Sequence, residues 1–311
     1  MAMLRFDDAG DFLERCESFL APRDPETNLI LSNAYRMRST LPVHQQPGYF
    51  GAVIDDDGGT VKMAAIMGYG LPLCVYGTDD VTAQMVRALV IDLGAWQREM
   101  RSVPVTASGS MAWPEVEIDP VRGRISKLVA PQELADLFAD VWLHETGQAL
   151  VKDMHMRLYR LTEVRDRGTA MGRLFRAQPE DVLSVGRFLH AMEAEALHGA
   201  LTLETAMQAA ERLVNEGRAF LWKVDGRAVS MACKTRPTQD GVVINCVYTP
   251  PTHRSRGYAT ACVAALSQTL LDEGYAFCSL FTDLENPTSN KIYMNIGYEP
   301  IRDYQEYNFP E

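Results

Sequence analysis

The chain has 311 residues, of which 47% are hydrophobic and 23% charged, and its formal net charge is -11. This composition is that of a globular protein and excludes a disordered or collagen-like chain. The length predicts two domains, each able to bury its own core. Because the balance is acidic and no Lys/Arg block stands out, nucleic acid is not an expected partner. A basic or neutral small substrate fits the charge better.

The cysteines are scattered along the chain, mostly inside apolar runs and without a C-x-x-C pair. They are Cys16, Cys74, Cys233, Cys246, Cys262 and Cys278. We expect buried, reduced thiols and no metal site. The N-terminal residues MAMLRFDDAGDFLERC are acidic where a secretory signal needs an apolar core, and no apolar run approaches the ~20 residues of a membrane span. The expected location is the cytoplasm, with no membrane partner.

The first half of the chain alternates helix and strand patterns. An apolar stripe at helical spacing, from Phe12 through Cys16 to Leu20, predicts the first helix. Strand patterns follow in YFGAVID, VKMAAIMGY and PLCVYG, with the turn DDGG between the first two. The next predicted elements are, in order, the helix DVTAQMVRALVIDLGAW, the strand SVPVTASG, the helix PQELADLFADVWLHETG and the strand HMRLYRLTEV.

The second half shows a similar order of elements. The strand GRLFRA precedes a helix in QPEDVLSVGRFLHAMEAEAL, and strands follow in AFLWKVD, AVSMACKT and VVINCVYT. After the turn THRSRG a helix runs to Gly274, and the strand FCSLFTDL leads to a helix in NPTSNKIYMNIG, with Asn286 as N-cap and Pro287 at the first helical position. A last strand lies within YEPIRDYQEYNF.

This repeated order predicts two copies of one α+β unit, over residues 1–165 and 170–311. A polar, glycine-bearing linker runs between them from about Val164 to Gly172. Two unrelated mixed domains are the alternative.

The turn THRSRGYAT, which links a predicted strand to a predicted helix, has the features of an anion site. Unpaired N–H groups and the positive end of the helix dipole favour a phosphate at a helix start. Gly257 allows a ligand close to the backbone, and Arg254 and Arg256 add positive charge. A solvated arginine-rich turn is the other interpretation of the same residues.

The run CVYTPPTHRSRGYATACVAAL, followed about one strand later by NPTSNKIYMNIGYEP, resembles the acetyl-CoA site of the GNAT superfamily of N-acetyltransferases. The resemblance covers roughly residues 172–309. It implies an α+β fold of two GNAT-like domains, each a mixed, mostly antiparallel sheet flanked by helices. The N-terminal domain is expected to be degenerate, without a CoA cradle, and the second to be catalytic.

The resemblance also implies which residues hold acetyl-CoA. The edge of the strand ending at Thr249 pairs with the pantetheine amides, and the turn cradles the pyrophosphate. The implied cofactor-binding residues are Val247, Tyr248, Thr249, Arg254, Arg256, Gly257, Tyr258, Ala259, Thr260, Asn286 and Asn290. Ala259 stands where the family often has glycine, and its methyl group is small enough to keep the close approach.

Tyr293 stands where the family often has a tyrosine that protonates the departing CoA thiolate, and with Asn286 and Asn290 it shares one helical face. Packing between helix and sheet is the alternative role for Tyr293. The residues leave the general base open: Glu193 and Glu195 are candidates, Asn245 or Asp283 could contact a relay water, and His198 and His253 are further titratable candidates. Direct attack by a bound neutral amine needs no positioned base.

In the first half the corresponding turn reads TDDV, where Asp79 and Asp80 would repel a pyrophosphate, so one active site per chain is expected. Aromatic residues such as Trp113, Trp142 and Tyr49 are candidates to line the cleft, with the core as the alternative.

The predicted function is transfer of an acetyl group from acetyl-CoA to a small-molecule or peptide amine. A non-catalytic acyl-CoA sensor and a transferase of another acyl group are the alternatives. The acceptor amine and the oligomeric state are left open.

Overall fold

The computed structural model describes residues 1–40, 48–56, 59–68, 70–102, 123–196 and 201–310. The chain divides into two compact units. Unit 1 comprises Met1–Met156 with Asp303–Glu311, and unit 2 comprises Arg157–Arg302.

The first half of the chain begins with a strand, two helices and three strands. They are β1 (Ala2–Arg5), α1 (Ala9–Leu20), α2 (Asn28–Thr40), β2 (Tyr49–Ile54), β3 (Val61–Met67) and β4 (Leu73–Gly77). There follow α3 (Ala83–Ser102), β5 (Lys127–Pro131), α4 (Gln132–Thr146) and β6 (Val151–Leu161). The predicted strand SVPVTASG falls on the last residue of α3 and otherwise lies outside the described residues.

The second half of the chain contains the same series of elements. They are β7 (Arg173–Arg176), α5 (Val182–Ala196), α6 (Leu203–Asn215), β8 (Ala219–Val224), β9 (Arg227–Thr235) and β10 (Gly241–Tyr248). There follow α7 (Tyr258–Asp272), β11 (Phe277–Asp283), α8 (Pro287–Ile296) and β12 (Glu299–Asn308). Both series run strand, two helices, three strands, helix, strand, helix and strand, which confirms the predicted repeat of one α+β unit.

The sheet of each unit is mixed and mostly antiparallel. Unit 1 has the strand order β1-β2-β3-β4-β5-β12, and unit 2 has the order β7-β8-β9-β10-β11-β6. In each, the first four strands are antiparallel neighbours, and the fourth pairs parallel with the fifth. This architecture confirms the predicted fold class.

The final strand belongs largely to the first unit. Residues from Asp303 onward lie in unit 1, where Gln305 is the antiparallel partner of Ala130 on β5. The sequence analysis, which divides the chain by the order of its elements, assigns these residues to the second domain, 170–311. Strand pairing across the sheet, rather than position along the chain, decides where they belong.

Helices cover both faces of each sheet. In unit 1 one core lies beneath α3 and α4, and the other beneath α1 and α2. Tyr49 and Trp142 are buried in the first of these cores, and the Tyr49 hydroxyl donates to Asp92 (2.7 Å). Both therefore have the packing role given above as the alternative to lining a cleft, whereas Trp113 lies outside the described residues.

In unit 2 one core lies between the sheet and α7 and α8, and the other between the sheet and α5 and α6. All six cysteines are unbridged, and all except the half-buried Cys246 are buried. In the described part of the chain, no cluster of His, Cys, Asp and Glu could hold a metal ion. None of the helices described here combines the length and the apolar character needed to cross a membrane.

Candidate functional site

The start of α7 exposes backbone donors, as the turn sequence predicts. Gly257 is the N-cap residue and has φ 75°, in the left-handed region that favours glycine. The N–H of Ala261 donates to the Gly257 carbonyl (3.0 Å). The N–H groups of Tyr258, Ala259 and Thr260 therefore precede the first intrahelical donor, Ala261, and carry the positive end of the helix dipole.

A cavity of about 500 Å³ opens at this helix start, and we call it the helix-start cavity. One wall consists of Arg256, Gly257, Tyr258 and Thr260, and the other of Gly168, Thr169, Ala170 and Met171. Arg256 supplies positive charge at this cavity. The space, the charge and the free N–H groups suit a phosphate-bearing ligand.

The second wall is the segment that sequence reasoning treated as a linker. Its backbone is fixed at both ends: Gly168 N–H donates to Asp166 Oδ1 (2.8 Å), and Trp222 Nε1 donates to the Met171 carbonyl (2.9 Å). Gly168 and Gly172 have φ of 68° and 114°. These two glycines are the feature of the sequence that could have indicated this wall. They let a short segment turn tightly where other residues would be strained.

The two predicted arginines have different surroundings. Arg256 lines the helix-start cavity, whereas the guanidinium of Arg254 donates to Glu195 and, through Nε, to the Thr249 carbonyl (2.9 Å). Arg254 therefore connects the turn to α5. The predicted residues that do not line the cavity are Val247, Tyr248, Thr249, Arg254, Ala259, Asn286 and Asn290.

The parallel pairing of β10 with β11 ends before β10 itself does. Their parallel pairing covers Gly241–Val243 and Phe277–Ser279, and β10 continues to Tyr248 beyond it. A register shift on the β9 side follows Asn245, and Cys246 has φ 49°. Such a bulge bends the strand away from its neighbour, which leaves backbone groups for an extended ligand.

Tyr293 lies on α8 and is 7% exposed. Its ring packs edge-on against Tyr298, with 6.0 Å between the ring centroids. Burial raises the pKa of the Tyr293 phenol above its ordinary value, so the hydroxyl keeps its proton at neutral pH. The packing role and the role as proton donor are compatible at this position.

The two predicted asparagines of α8 have internal partners. Asn286 caps the helix by accepting from Ser289 N–H (3.0 Å). The Asn290 amide accepts from the Tyr159 hydroxyl (2.9 Å) and donates to the carbonyls of Asp283 and Asn286 (2.9 and 2.7 Å). Its side chain thus ties α8 to β6 and β11. Contact with a cofactor stays a prediction for both residues.

Among the candidate bases, the Glu195 carboxylate already accepts hydrogen bonds from two side chains. It accepts from Arg254 and from the Tyr248 hydroxyl (2.6 Å). The Arg254 contact, and then that of Tyr248, lower the pKa of the carboxyl, which makes it a weaker proton acceptor. Asp283 accepts from Glu285 N–H (2.8 Å).

Three further candidates differ in their surroundings. His253 has an edge-on ring contact with Tyr258, at 6.5 Å between centroids. His198 lies outside the described residues. The side chain of Asn245 has a buried Oδ1 that accepts no hydrogen bond from any described residue.

In unit 1 the turn after β4 is acidic, as the sequence indicates. Asp80 pairs with Lys62 (2.7 Å) and accepts a hydrogen bond from the Thr78 hydroxyl. A carboxylate at this turn opposes binding of an anion.

A glycine-capped helix start that follows a strand of a mixed α+β sheet agrees with the resemblance to the GNAT superfamily found in the sequence. Residues 187–298, all within unit 2, match the family model described as Acetyltransferase (GNAT) family. The match covers about a third of the chain. A search of curated proteins by sequence gave no match.

Solved structures of GNAT proteins share the fold over nearly the whole chain. One is an acetyltransferase of the GNAT family from Colwellia psychrerythraea, with TM-score 0.53, 10% identity and 100% of each chain covered. A GCN5-related N-acetyltransferase from Sphaerobacter thermophilus has TM-score 0.58 and 14% identity, with 98% of this chain and 94% of that chain covered. A tandem GNAT protein from the clavulanic acid biosynthesis pathway has TM-score 0.54 and 12% identity, with 98% and 97% covered.

Proposed function

We propose that the chain is a cytoplasmic N-acetyltransferase in which unit 2 transfers the acetyl group of acetyl-CoA to a small-molecule or peptide amine. The observation that carries this proposal is the helix-start cavity, which opens at the start of α7, the helix that follows β10 along the chain. Unit 1 has an acidic turn at the corresponding place, so we expect one active site per chain.

The residues of the cavity fit a pyrophosphate. The N–H groups at the start of α7 and the Arg256 guanidinium would hold its oxygens. A Cβ built on Gly257 has Ala170 Cβ as its nearest neighbour, at 3.6 Å. A side chain there would fill cavity space rather than displace protein atoms. The bare backbone thus leaves room for the ligand.

The unpaired edge of β10, around Val247 and Thr249, would hold the pantetheine amides as an added strand does. Acetyl-CoA supplies an activated acyl group in thioester linkage. Tyr293 retains its proton because burial raises the pKa of its phenol, so it is available to protonate the leaving sulfur. Orientation of the amine beside the thioester supplies much of the remaining acceleration.

Two glycine substitutions test the cavity with matched backbone strain. Gly257 and Gly147 have nearly the same conformation, φ 75° and ψ 6° against φ 74° and ψ 4°. Gly147 ends α4 in unit 1, and a Cβ there would meet no atom within 4 Å. Gly257→Glu and Gly147→Glu therefore carry similar strain, but only the first places a carboxylate in the cavity.

Calorimetry with acetyl-CoA should show a loss of affinity of roughly tenfold or more for Gly257→Glu, through blocked space and charge repulsion, and the parent's affinity for Gly147→Glu. Equal affinity in both folded variants would remove the cavity from the proposal. Release of free thiol from acetyl-CoA with a panel of amines then separates transfer from binding alone. Tight binding without release across the panel would identify an acyl-CoA sensor instead.

A further inference from the structure

Two cysteines of unit 2 meet across the neighbouring strands β9 and β10. Cys233 on β9 is the cross-strand partner of Asn245, and Cys246 is the next residue of β10. Cys233 belongs to the core beneath α5 and α6, and Cys246 packs against that core. The Cys233 thiol is hydrogen-bonded to the Cys246 sulfur. The two sulfur atoms are therefore in contact on one face of the sheet.

The bulge of β10 brings Cys246 to this face. Side chains of an ordinary strand alternate, so Cys246 would point away from the face that Asn245 shares with Cys233. The register shift between Asn245 and Tyr248 and the φ of 49° at Cys246 change this direction. Val247, the next residue, packs against the core on the other face. A residue other than glycine is strained at such a φ, and strain of this kind collects at functional positions.

Cys246 differs from the other cysteines in its access to solvent. It is half-buried, whereas the other five are buried. Burial raises the pKa of the Cys16, Cys262 and Cys278 thiols to about 12. Such thiols keep their protons at neutral pH and react slowly. A small oxidant dissolved in water therefore meets Cys246 first.

The surroundings of the pair favour an ionised Cys246. The hydrogen bond from Cys233 lowers the pKa of the Cys246 thiol, and burial opposes this shift. Arg236 and Arg218 lower the same pKa, whereas Glu193 raises it. The hydrogen bond to Cys246, together with burial, raises the pKa of Cys233. The pair thus combines one thiol that ionises readily with a second that keeps its proton.

We propose that Cys246 and Cys233 form a site of reversible oxidation by a peroxide, in which Cys246 reacts first and Cys233 then closes a disulfide with it. This inference concerns the thiols alone and does not depend on acetyl transfer. A disulfide needs Cα atoms within about 7 Å of each other, and neighbouring strands lie about 5 Å apart. The disulfide ties β9 to β10 at the bulge.

The two steps balance with hydrogen peroxide as the oxidant. The Cys246 thiolate attacks one peroxide oxygen, an S–O bond forms as the O–O bond breaks, and the departing hydroxide takes up a proton to give water. Cys246 is then a sulfenic acid. The Cys233 thiol loses its proton and attacks the sulfenic sulfur, so that the S–S bond forms, the S–O bond breaks and a second water leaves. Two electrons pass from the two sulfur atoms to one peroxide molecule.

Peptide mapping of the full chain tests the proposal without any substitution. Trypsin cleaves after Lys234, so a disulfide joins the peptide that contains Cys233 to the peptide that contains Cys246. The folded protein is treated briefly with hydrogen peroxide, and the remaining thiols are alkylated after denaturation. We expect the linked pair of peptides, its loss on treatment with dithiothreitol, and the other four cysteines recovered as alkylated thiols.

Three alanine variants separate the two steps. In Cys233→Ala the second step is blocked, so the sulfenic acid of Cys246 accumulates and is trapped by dimedone. In Cys246→Ala the first step is blocked, so Cys233 stays reduced. Cys278→Ala, which removes a buried thiol from β11, is the matched control and should form the disulfide as the parent does. Circular dichroism establishes the folding of each variant.

The charges around Cys246 give an independent readout. Its rate of alkylation by iodoacetamide rises with pH as the thiolate forms. Arg236→Gln should move the midpoint of this rise to higher pH, because a positive charge is removed, and Glu193→Gln should move it to lower pH. Glu211→Gln, which removes an exposed carboxylate from α6, should leave the midpoint where the parent has it.

The relative rates decide the assignment. We expect peroxide to oxidise Cys246 roughly tenfold faster or more than Cys262 or Cys278 in the folded protein. The proposal is overturned if the folded parent gives no linked peptides, or if a buried cysteine is oxidised as fast as Cys246. It is also overturned if folded Cys233→Ala forms no dimedone adduct at Cys246.

Discussion

Two adjacent tyrosines on one core illustrate how the surroundings of a side chain separate a chemical role from a structural one. The Tyr298 hydroxyl is hydrogen-bonded to Ser267 (2.8 Å) and is fully enclosed. The Tyr293 hydroxyl has no partner among the described residues, although its ring packs on Tyr298. Removal of the Tyr293 hydroxyl should therefore lower the rate of acetyl transfer, whereas removal of the Tyr298 hydroxyl should lower the stability of the fold.

We predict that Tyr293→Phe lowers turnover by up to roughly 10²-fold with little loss of acetyl-CoA affinity, since only the proton donor is deleted. Tyr298→Phe should leave turnover near the parent and cost about 1 kcal/mol of unfolding free energy, through the lost hydrogen bond to Ser267. Thiol-release kinetics and denaturant unfolding measure the two effects. Equal turnover in the parent and Tyr293→Phe would make Tyr293 a packing residue.

The pH dependence gives a second check on Tyr293. Because burial raises the pKa of its phenol, the proton is held to higher pH than in a free tyrosine, and any loss of rate from its ionisation should begin above about pH 10. In Tyr293→Phe this high-pH limb should disappear, while a low-pH limb of the amine or its base remains. A limb that persists unchanged in the variant belongs to another group.

The two arginines of the turn should differ in how much each contributes to acetyl-CoA binding. Arg256→Gln removes the positive charge from the helix-start cavity and should weaken acetyl-CoA binding, with a smaller salt dependence than the parent. Arg254→Gln breaks contacts to Glu195 and Thr249 and should change affinity less. Titrations at low and high salt compare them. A larger effect of Arg254→Gln would mean that its side chain leaves Glu195 to bind the cofactor.

At the level of secondary structure, the 168–171 segment shows how a short connection completes a site. Ala170 lies opposite Gly257 across the helix-start cavity. Enlarging the side chain at this point narrows the cavity beside Gly257. The segment is therefore the most direct place to test the second wall.

We predict that Ala170→Leu weakens acetyl-CoA binding by roughly tenfold while the melting temperature stays near that of the parent, because the added atoms occupy cavity space rather than a packed core. Calorimetry and thermal unfolding measure the two quantities. Parent-like affinity would show that the ligand does not reach this wall.

The 168–171 segment is an example of a feature that the sequence did not predict, in contrast to most of the helices and strands. Many strands and helices with clear periodicity were predicted, as were the helix start at Gly257 and the N-cap at Asn286. Helix α6 and strand β5 were not predicted, and β5 is short and ends at Pro131. The wall at 168–171 and the pairing of Cys233 with Cys246 depend on contacts between distant segments, which local patterns do not encode.

At the scale of the whole molecule, the two units are intertwined along the chain. Arg157–Leu161 of β6 belong to unit 2, and residues from Asp303 belong to unit 1. A cut at Gly172, the natural choice from the order of elements, removes both β6 and the 168–171 wall from the second half. Local sequence patterns predicted that one α+β unit is repeated, but they did not predict that part of β6 belongs to unit 2 and most of β12 to unit 1.

We predict that a fragment of residues 172–311 binds acetyl-CoA more weakly than one of residues 148–311, which keeps β6 and the wall, and that residues 1–147 alone do not bind it. Circular dichroism establishes folding, and calorimetry gives the affinities. Binding by residues 1–147 would contradict the expectation of one site per chain. Parent-like affinity of the 172–311 fragment would contradict the role of the wall.

The central claim is that acetyl-CoA binds in unit 2 with its pyrophosphate at the start of α7. A crystal structure of the full chain with acetyl-CoA tests it most directly. The predicted result is a pyrophosphate over the N–H groups from Arg256 to Thr260, with Gly168–Met171 on its other side and pantetheine along β10. Acetyl-CoA bound at the turn after β4, or away from Gly257 within unit 2, would contradict the claim.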